Sequence, residues 1–324
     1  MDITVICPLY KAEKYIDNLQ KSLLMQKNVD LKEIRYILTN TNDGLEKKII
    51  DYNNYSLHDG KLDEVEGDIK DRVKVSLNII EAKDFSHSLT REKAAFESKT
   101  DIVVFITQDI KIVDEYWLYK FIKPIEDGRC EAAFCRQICD NKSIERYTRI
   151  NNYPEESRVV SLKDVDRLGI KTFFFSDAAS AVNLQKYKEL KGYDSKDLLT
   201  NEDMYFAYKL IKSGGRIMYN SEAEVIHSHD YKFKELFKRY FDQGVFLEDN
   251  NYLLRHNANG SAKELLKTVL KEAIKEKNYK VIMNMVPNFA ARYLGNKFGQ
   301  NYRKLPLDMV KKLSSSKFYW ERNF

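Results

Sequence analysis

Polar side chains able to bind a phosphate or a cation follow the most apolar run of the chain. This run, Ile102–Ile106, predicts a buried strand, and Thr107-Gln108-Asp109 comes directly after it. In open α/β sheets, ligands bind outside the carboxyl ends of the strands. A carboxylate there can hold Mg²⁺ or Mn²⁺, hard cations that bridge to phosphates, but a strand-end aspartate also commonly makes a turn.

An aromatic side chain follows the first predicted strand. The run Ile3–Cys7 predicts a strand ended by Pro8, and Tyr10 comes two residues later. A tyrosine in that place could stack on a nucleotide base, or it could pack against the edge of the sheet. The residues alone leave both interpretations open.

A pair of carboxylates opens a helix pattern later in the chain. Asn201-Glu202-Asp203 opens the helical pattern Met204–Ile211. A carboxylate beside a nucleotide site could act as a general base that removes a proton from an attacking hydroxyl. The spacing Thr200-x-x-Asp203 also resembles a capping box, which would have only a structural role.

Histidines occur at two further element boundaries. His87 and Arg91 stand where a helix begins, and a helix N-terminus with added positive charge suits a diphosphate. His227 and His229 end a predicted strand, whose alternation is expected to send the two imidazoles to opposite faces. One of them could be a metal ligand or a phosphate donor.

The elements that would position these side chains alternate along the first part of the chain. Strand-like runs at Ile34–Leu38, Val73–Ile80 and Arg216–Ile226 join those already named, with helical patterns between them. This order predicts an α/β fold with a mostly parallel sheet. The polar stretch Asp51–Arg72 is predicted to be a surface excursion.

Beyond Asp230 the pattern becomes helical and basic. Two apolar stripes follow helical spacing, made of Phe233, Leu236, Phe237, Tyr240 and Phe241, then of Leu265, Leu266, Val269, Leu270 and Ile274. Four lysines spaced four apart form a row on the second helix: Lys263, Lys267, Lys271 and Lys275. Such a row is either a solvated helix face or a contact with an anionic surface.

The sign of the net charge also changes near Asp230. Residues 231–324 hold 19 Lys+Arg and 9 Asp+Glu, whereas residues 1–230 carry a net charge of −5. We therefore predict two domains, a core domain at 1–230 and a basic helical region at 231–324, which would contact a membrane or form a homodimer. Nucleic-acid binding would explain the basic region but none of the strand-end residues, so we expect no nucleic-acid partner.

Composition narrows the class of protein. The 324 residues include only 12 glycines and 5 prolines and are 43% hydrophobic, which excludes fibrous and wholly disordered chains. Neither a membrane-spanning apolar run nor a signal-peptide pattern is present, so a cytoplasmic protein is expected. The cysteines lack zinc-site spacing and are predicted to be structural. No Walker loop, G-x-S-x-G or G-x-G-x-x-G occurs.

Taken in order, these pieces resemble the family 2 inverting glycosyltransferases of GT-A fold, most of all bacterial rhamnosyltransferases that use dTDP-L-rhamnose. The resemblance covers nearly the whole chain. The matching pieces are Cys7–Ile16, Phe85–Arg91, Phe105–Asp109, Asn201–Asp203, Val225–Tyr231 and Arg239–Phe246, with Tyr293-Leu-Gly, Asn301–Pro306 and Lys317–Trp320 in the tail.

That resemblance implies a role for each candidate. Asp203 would be the catalytic base, and Asp109, with His229 as a further contact, would ligate Mg²⁺ or Mn²⁺. The donor would lie against Pro8, Tyr10, Thr39, His87, Arg91, Gln108 and Asp109. The acceptor would be a polysaccharide or lipid-linked oligosaccharide at the cytoplasmic face of the membrane.

Departures from the family pattern keep two alternatives open. Thr39 and Thr107 stand where many members have aspartate, Glu92 follows Arg91 where asparagine is frequent, and Lys11 also replaces an asparagine. The same fold and mechanism could therefore use another donor, such as a UDP-hexose. A degenerate, non-catalytic binding protein is the other alternative, although the presence of both Asp109 and Asp203 argues against it.

Overall fold

The computed structural model describes residues 1–40, 44–52, 55–58, 61–64, 73–256 and 261–324. Its ten strands are β1 (Asp2–Leu9), β2 (Asp30–Thr39), β3 (Tyr55–His58), β4 (Lys61–Glu64), β5 (Lys74–Ile80), β6 (Ile102–Ile106), β7 (Ala132–Ile138), β8 (Arg158–Val160), β9 (Ala179–Asn183) and β10 (Ile217–Ile226).

Thirteen α-helices are found in the described ranges. They are α1 (Ile16–Leu24), α2 (Leu45–Tyr52), α3 (His87–Glu97), α4 (Trp117–Glu126), α5 (Ile144–Asn152), α6 (Val165–Leu168), α7 (Leu184–Glu189), α8 (Glu202–Lys212), α9 (Phe233–Asp249), α10 (Ser261–Lys275), α11 (Tyr279–Gln300), α12 (Leu307–Leu313) and α13 (Lys317–Asn323).

Eight strands form one mixed sheet in the order β5-β2-β1-β6-β9-β7-β10-β8. The four strands from β5 to β6 run parallel, as does the pair β7 and β10, whereas β9 and β8 are antiparallel to their neighbours. The prediction of an α/β fold with a mostly parallel sheet is confirmed. The described parts of the predicted surface excursion at 51–72 hold the separate hairpin of β3 and β4.

Alternating side chains of the central strands supply two hydrophobic cores. On β1, Val5 and Cys7 face one core with α1 and α4, while Ile6 faces the other with α3, α7 and α8. All four cysteines are buried free thiols. Helices on both faces leave the strand ends open at the edge, which is where an α/β sheet binds ligands.

The strand β1 extends beyond its predicted end. It continues through Pro8 to Leu9, which pairs with Leu38 of β2, whereas its pairing with β6 stops at Ile6. Proline is tolerated because β1 has a strand neighbour on only one side at this level. Tyr10, Asn40 and Thr107 consequently leave the sheet at the same edge.

The C-terminal region packs on the sheet domain rather than standing apart. Helices α9 and α11 lie against each other over their length, and Trp320 of α13 packs in one core with Leu199 and Phe241. The second predicted apolar stripe lies on a helix, α10, and only part of it is packed: Leu265 and Val269 pack inward, while Leu266, Leu270 and Ile274 are exposed. Among the described residues no helix combines the length and apolarity needed to cross a bilayer.

Candidate functional site

Gln108 fixes the loop that follows β1. Its Oε1 accepts a hydrogen bond from the backbone N–H of Tyr10 at 2.7 Å, and its Nε2 donates to the Tyr10 carbonyl at 2.8 Å. The Tyr10 side chain remains about half exposed, so it is not packed on the sheet edge. A planar base can therefore reach this ring at the carboxyl end of the sheet.

Asp109, His227 and His229 form a compact cluster. The Nε2 atoms of the two histidines are 2.8 Å apart and lie 3.4 and 3.8 Å from the Asp109 carboxylate. The prediction that the imidazoles face opposite sides is wrong, because β10 ends at Ile226 and strand alternation no longer applies beyond it. His227, which the sequence did not assign to the metal site, belongs to the cluster.

Gln137 on β7 sets the orientation of His227. Its Oε1 lies 2.9 Å from His227 Nδ1 and also accepts from Arg149, while its Nε2 donates to Ser176 Oγ at 2.9 Å. With the amide oxygen facing Nδ1, the neutral imidazole carries its proton there. The Nε2 lone pair then faces Asp109 and His229.

The chemistry of this cluster fits a divalent cation. Burial lowers the pKa of His227, and burial together with His227 lowers the pKa of His229 to about 4, so both imidazoles are neutral at physiological pH. One carboxylate and two imidazole nitrogens, all within 4.8 Å of one another, are the donor set of a cation site.

An aromatic and a guanidinium extend the cluster toward α9. The Tyr231 ring stacks on His229 with centroids 4.8 Å apart, and Arg239 Nη1 donates to the Tyr231 hydroxyl at 3.2 Å. Arg239 thus places a positive charge beside the cluster, where a phosphate would be attracted.

Asp203 lies in the first turn of α8, directly after a loop that bends sharply. Asn201, the N-cap residue, has the left-handed φ of 58° and makes no side-chain cap. The capping-box alternative for Asp203 is wrong, because Thr200 Oγ1 donates to Asn201 rather than receiving the helix N–H. Asp203 Oδ1 instead accepts from the Met204 N–H at 2.7 Å, and Oδ2 accepts from the Asp177 N–H at 3.3 Å.

Two other carboxylates surround Asp203. Burial, with Glu202 and Asp177 nearby, raises the pKa of Asp203 well above its ordinary value. Glu202 is held in an ion pair with Arg91 at 3.2 Å, and Asp177 accepts hydrogen bonds from Ser180 and Tyr193. A carboxylate with a raised pKa and some access to solvent is suited to proton abstraction.

One peptide segment links the two halves of the site. The Thr107 N–H, at the end of β6, donates to the Ala178 carbonyl at 3.1 Å, and the adjacent Asp177 N–H donates to Asp203. Asp109 and Asp203 therefore lie at one end of the sheet, on opposite sides of the turn at 177–178.

The remaining predicted residues lie around this edge. Thr39 is the last residue of β2 and is buried, and His87 is exposed in the first turn of α3. Arg91 is buried with only 3% of its surface exposed, and its guanidinium also donates to the His87 carbonyl at 3.0 Å.

Sequence reasoning missed three members of the site: Gln137, Asp177 and His227. Gln137 and Asp177 occur on β7 and before β9, elements whose contribution to the site depends on strand order. For His227 and His229 the sequence did carry a signal, because the two histidines are two residues apart at a strand end. The prediction was wrong because it extended the strand's alternation of side chains beyond Ile226.

The fold and site together define an α/β protein with a cluster of one carboxylate and two imidazoles that could hold a cation, at the same end of the sheet as a carboxylate of raised pKa. A family model described as "Glycosyl transferase family 2" matches residues 4–191, more than half of the chain. The chain belongs to this family.

A curated relative agrees with this membership, and two solved structures share the fold. The chain is 32% identical over 266 residues to the O-antigen chain rhamnosyltransferase RfbN of Salmonella typhimurium, covering 81% of this chain and 84% of that protein. It resembles S. aureus TarS 1–349 with a TM-score of 0.54 at 15% identity, covering 98% of this chain and 85% of that one.

The second structure is the mannosyltransferase PcManGT of Pyrobaculum calidifontis in complex with GDP-Man and Mn²⁺. It matches with a TM-score of 0.52 at 14% identity and covers 98% of this chain and 84% of that one. Similarity at this level of identity shows the shared fold, and the predicted GT-A architecture is confirmed.

Proposed function

We propose that this protein transfers L-rhamnose from dTDP-L-rhamnose to a hydroxyl of a growing, lipid-linked cell-surface polysaccharide. As a hexosyltransferase it would form the new bond with inversion at the anomeric carbon. Its 32% identity to an O-antigen chain rhamnosyltransferase supports the sugar and the polymer. The observation that carries the reaction class is the joining of the Asp109 cluster to Asp203 through the turn at 177–178.

In this proposal the nucleotide lies across the carboxyl edge of the sheet. Tyr10 stacks on the base, and Pro8, Thr39 and Gln108 shape the surface beneath it. His87 contacts the diphosphate directly, and the buried Arg91 attracts it through its charge. Arg239 adds a second positive charge from α9, beside Asp109.

Asp203 accepts the proton of the acceptor hydroxyl, and the oxygen attacks the anomeric carbon from the face opposite the diphosphate. The bond between that carbon and the diphosphate oxygen breaks, and dTDP leaves. One carboxylate suffices because the single displacement forms no covalent sugar–enzyme intermediate. A raised pKa makes Asp203 a stronger base once it is ionised.

Asp109, His227 and His229 would hold Mg²⁺ or Mn²⁺. When bound, the cation stabilises negative charge on the departing diphosphate. Two imidazoles beside one carboxylate favour Mn²⁺ over Mg²⁺, because Mg²⁺ prefers oxygen ligands.

A second candidate keeps the fold and mechanism but uses another donor, such as a UDP-hexose, and Thr39 is the residue that favours it. A non-catalytic binding protein is a third candidate. We place the reaction at the cytoplasmic face of the membrane, with residues 1–230 as the catalytic domain. Residues 231–324 would then supply membrane contact or a homodimer interface.

The test measures nucleoside diphosphate released from a panel of nucleotide sugars with Mn²⁺ or Mg²⁺, and donor binding by calorimetry. Release and binding selective for dTDP-L-rhamnose are expected. Asp203→Asn should lose release but keep donor binding, whereas Asp109→Ala should lose both. Asp127→Asn is the matched control and should behave as the wild type, because Asp127 is an exposed carboxylate directly after α4 that pairs with Lys123.

Selectivity for a UDP-sugar would move the assignment to the second candidate. If no nucleotide sugar bound, both enzymatic candidates would be wrong and the binding protein would remain.

A further inference from the structure

Helix α11 presents a largely exposed apolar stripe. Tyr279, Met283, Val286 and Tyr293 are spaced at helical intervals and are 68%, 79%, 77% and 64% exposed. The opposite side of the helix is packed, with Met285 and Gly295 buried. Four large apolar side chains along about 20 Å of one helix form a patch of the kind that marks an interaction surface.

Helix α10 carries a second exposed stripe with a basic border. Leu266, Leu270 and Ile274 are each at least 40% exposed, although the adjacent Val269 and Ala273 are fully buried. The four-lysine row lies along the outer side of this stripe. Three of these lysines, Lys263, Lys267 and Lys271, have no ion-pair partner among the described residues, and Lys275 has only Glu272 at 3.8 Å.

Apart from Glu276, which pairs with Arg146, the charges around the α11 stripe are positive. The sequence of α11 contains no aspartate or glutamate over its 22 residues, and the turn before it carries Lys277. Lys280 and Lys297 on α11 are exposed as well. An occupant of this surface must therefore accept apolar side chains and bring negative charge.

We propose that α10 and α11 dock this protein on an anionic lipid bilayer, with the two apolar stripes inserted among the acyl chains and the lysines on lipid phosphates. This inference rests on the proposed membrane contact of residues 231–324, which it makes specific, and it does not depend on the donor sugar. A second copy of the chain would bring two sets of lysines to one interface, and a nucleic acid would leave Met283 and Val286 in water. Of these three occupants, an anionic bilayer is the one that satisfies both kinds of side chain.

Contacts with α5 relate this surface to the candidate site. Glu276, in the turn between α10 and α11, accepts from Arg146 Nη2 at 3.1 Å and from the Tyr147 hydroxyl at 3.0 Å. Arg149 on the same helix contacts Gln137, which orients His227. Docking through α10 and α11 would thus hold the site one helix away from the membrane surface, where a lipid-linked acceptor is presented.

The test is sedimentation of the full chain with vesicles of phosphatidylcholine alone and of phosphatidylcholine with 30% phosphatidylglycerol. Val286→Glu is compared with Val113→Glu, since Val113 is 72% exposed and lies outside both helices. Binding to the anionic vesicles is expected for the wild type and for Val113→Glu. Val286→Glu should weaken it about tenfold or more.

Replacing the four lysines of the row with glutamine should also weaken binding about tenfold or more and reduce its salt dependence. Donor-derived diphosphate release without lipid should be unchanged in these variants, so a failure of docking is distinguishable from a failure of the proposed reaction. Equal vesicle binding by Val286→Glu and Val113→Glu would overturn the inference. So would a dimer in solution that Val286→Glu dissociates, with no vesicle binding by the wild type.

Discussion

Gln137, on β7, holds in place one histidine of the proposed cation site. Its side-chain amide faces three partners at once, with His227 and Arg149 at the oxygen and Ser176 at the nitrogen. Because each partner constrains the amide, the imidazole of His227 is held in one tautomer and one orientation. Such partners of a ligating histidine usually matter for metal affinity nearly as much as the ligand does.

We expect Gln137→Leu to weaken Mn²⁺ binding by about 10- to 100-fold, since His227 loses the acceptor that orients it. Calorimetric titration with Mn²⁺ alone measures this without requiring activity. Asn220→Leu is the matched control, because Asn220 is a buried amide that donates to the Lys120 carbonyl, away from the cluster. Equal Mn²⁺ affinity in the two variants would refute the positioning role of Gln137.

Asp203 should impose a pH limit on the reaction. A base must be ionised to accept a proton, and its raised pKa means that the ionised fraction grows only at higher pH than for an ordinary carboxylate. The rate should therefore rise with pH through the raised pKa of Asp203. In Glu202→Gln, one nearby negative charge is removed and the acidic limb of the profile should move to lower pH. An unchanged limb would show that another group controls the profile.

Helices α9 and α11 approach each other through glycines. A Cβ at Gly299 would overlap the carbonyl oxygen of Phe241, and one at Gly244 would overlap the carbonyl oxygen of Asn296. Backbone atoms cannot rotate away as a side chain can, so the two helices must separate to accommodate a methyl group. This contact places Arg239 on α9 relative to the sheet.

Gly299→Ala should therefore destabilise the fold by about 1–3 kcal/mol, measured as a lowered Tm. Asn284→Ala, at an exposed position on α11, is the control and should leave Tm nearly unchanged. A wild-type Tm for Gly299→Ala would mean that the helices can separate without loss of packing.

A buried carboxylate ties α9 to the segment between α12 and α13. Asp242 Oδ2 accepts from the Ser315 N–H at 2.9 Å and from the Ser315 hydroxyl, and burial raises the pKa of Asp242 to about 6. Because this pKa is raised on folding, the Asp242 carboxyl stays protonated up to a higher pH in the folded state than in the unfolded chain. The contribution of Asp242 to the free energy of unfolding is therefore greatest below about pH 4, and it is lost as the pH rises through about 6.

Asp242→Asn should raise Tm at pH 8, where the wild type carries a buried charge, and should change it little near pH 4. Thermal denaturation at the two pH values measures the difference. A variant that lost stability equally at both values would show that the charge is compensated in the fold.

At the scale of the whole molecule, the C-terminal helix α13 packs back on the sheet domain. Trp320 is buried beside Leu199, which lies shortly before α8, the helix that carries Asp203. Arg322 donates from Nε and Nη2 to Asp197 and from Nη1 to the Lys83 carbonyl. The basic region and the sheet domain thus share packing next to the proposed base.

Trp320→Ala should cost about 3–5 kcal/mol of stability, because a large buried ring is removed from a core that joins the two regions. Trp320→Phe keeps most of the ring volume and should lose much less, as seen in Tm. If both variants melted like the wild type, α13 would contribute little to the folded state.

The sequence alone determined the class of fold and most of the candidate site. Short β-branched runs such as Ile102–Ile106 alternate with amphipathic helices, and this local periodicity specifies strands and helices before any contact is made. The placement of Asp109 and Tyr10 just after predicted strands was correct for the same reason. The carboxyl ends of parallel strands lie at one edge of the sheet, whatever the order of the strands.

Only the tertiary structure decided which side chains meet there. His227 joins His229 because the chain leaves the strand geometry at Ile226, and Gln137 and Asp177 reach the site because β7 and β9 lie beside particular neighbours. The exposure of Leu266 and Leu270, next to a buried Val269, likewise depends on where α5 and α11 pack. These are contacts between residues far apart in the chain, and local spacing carries no information about them.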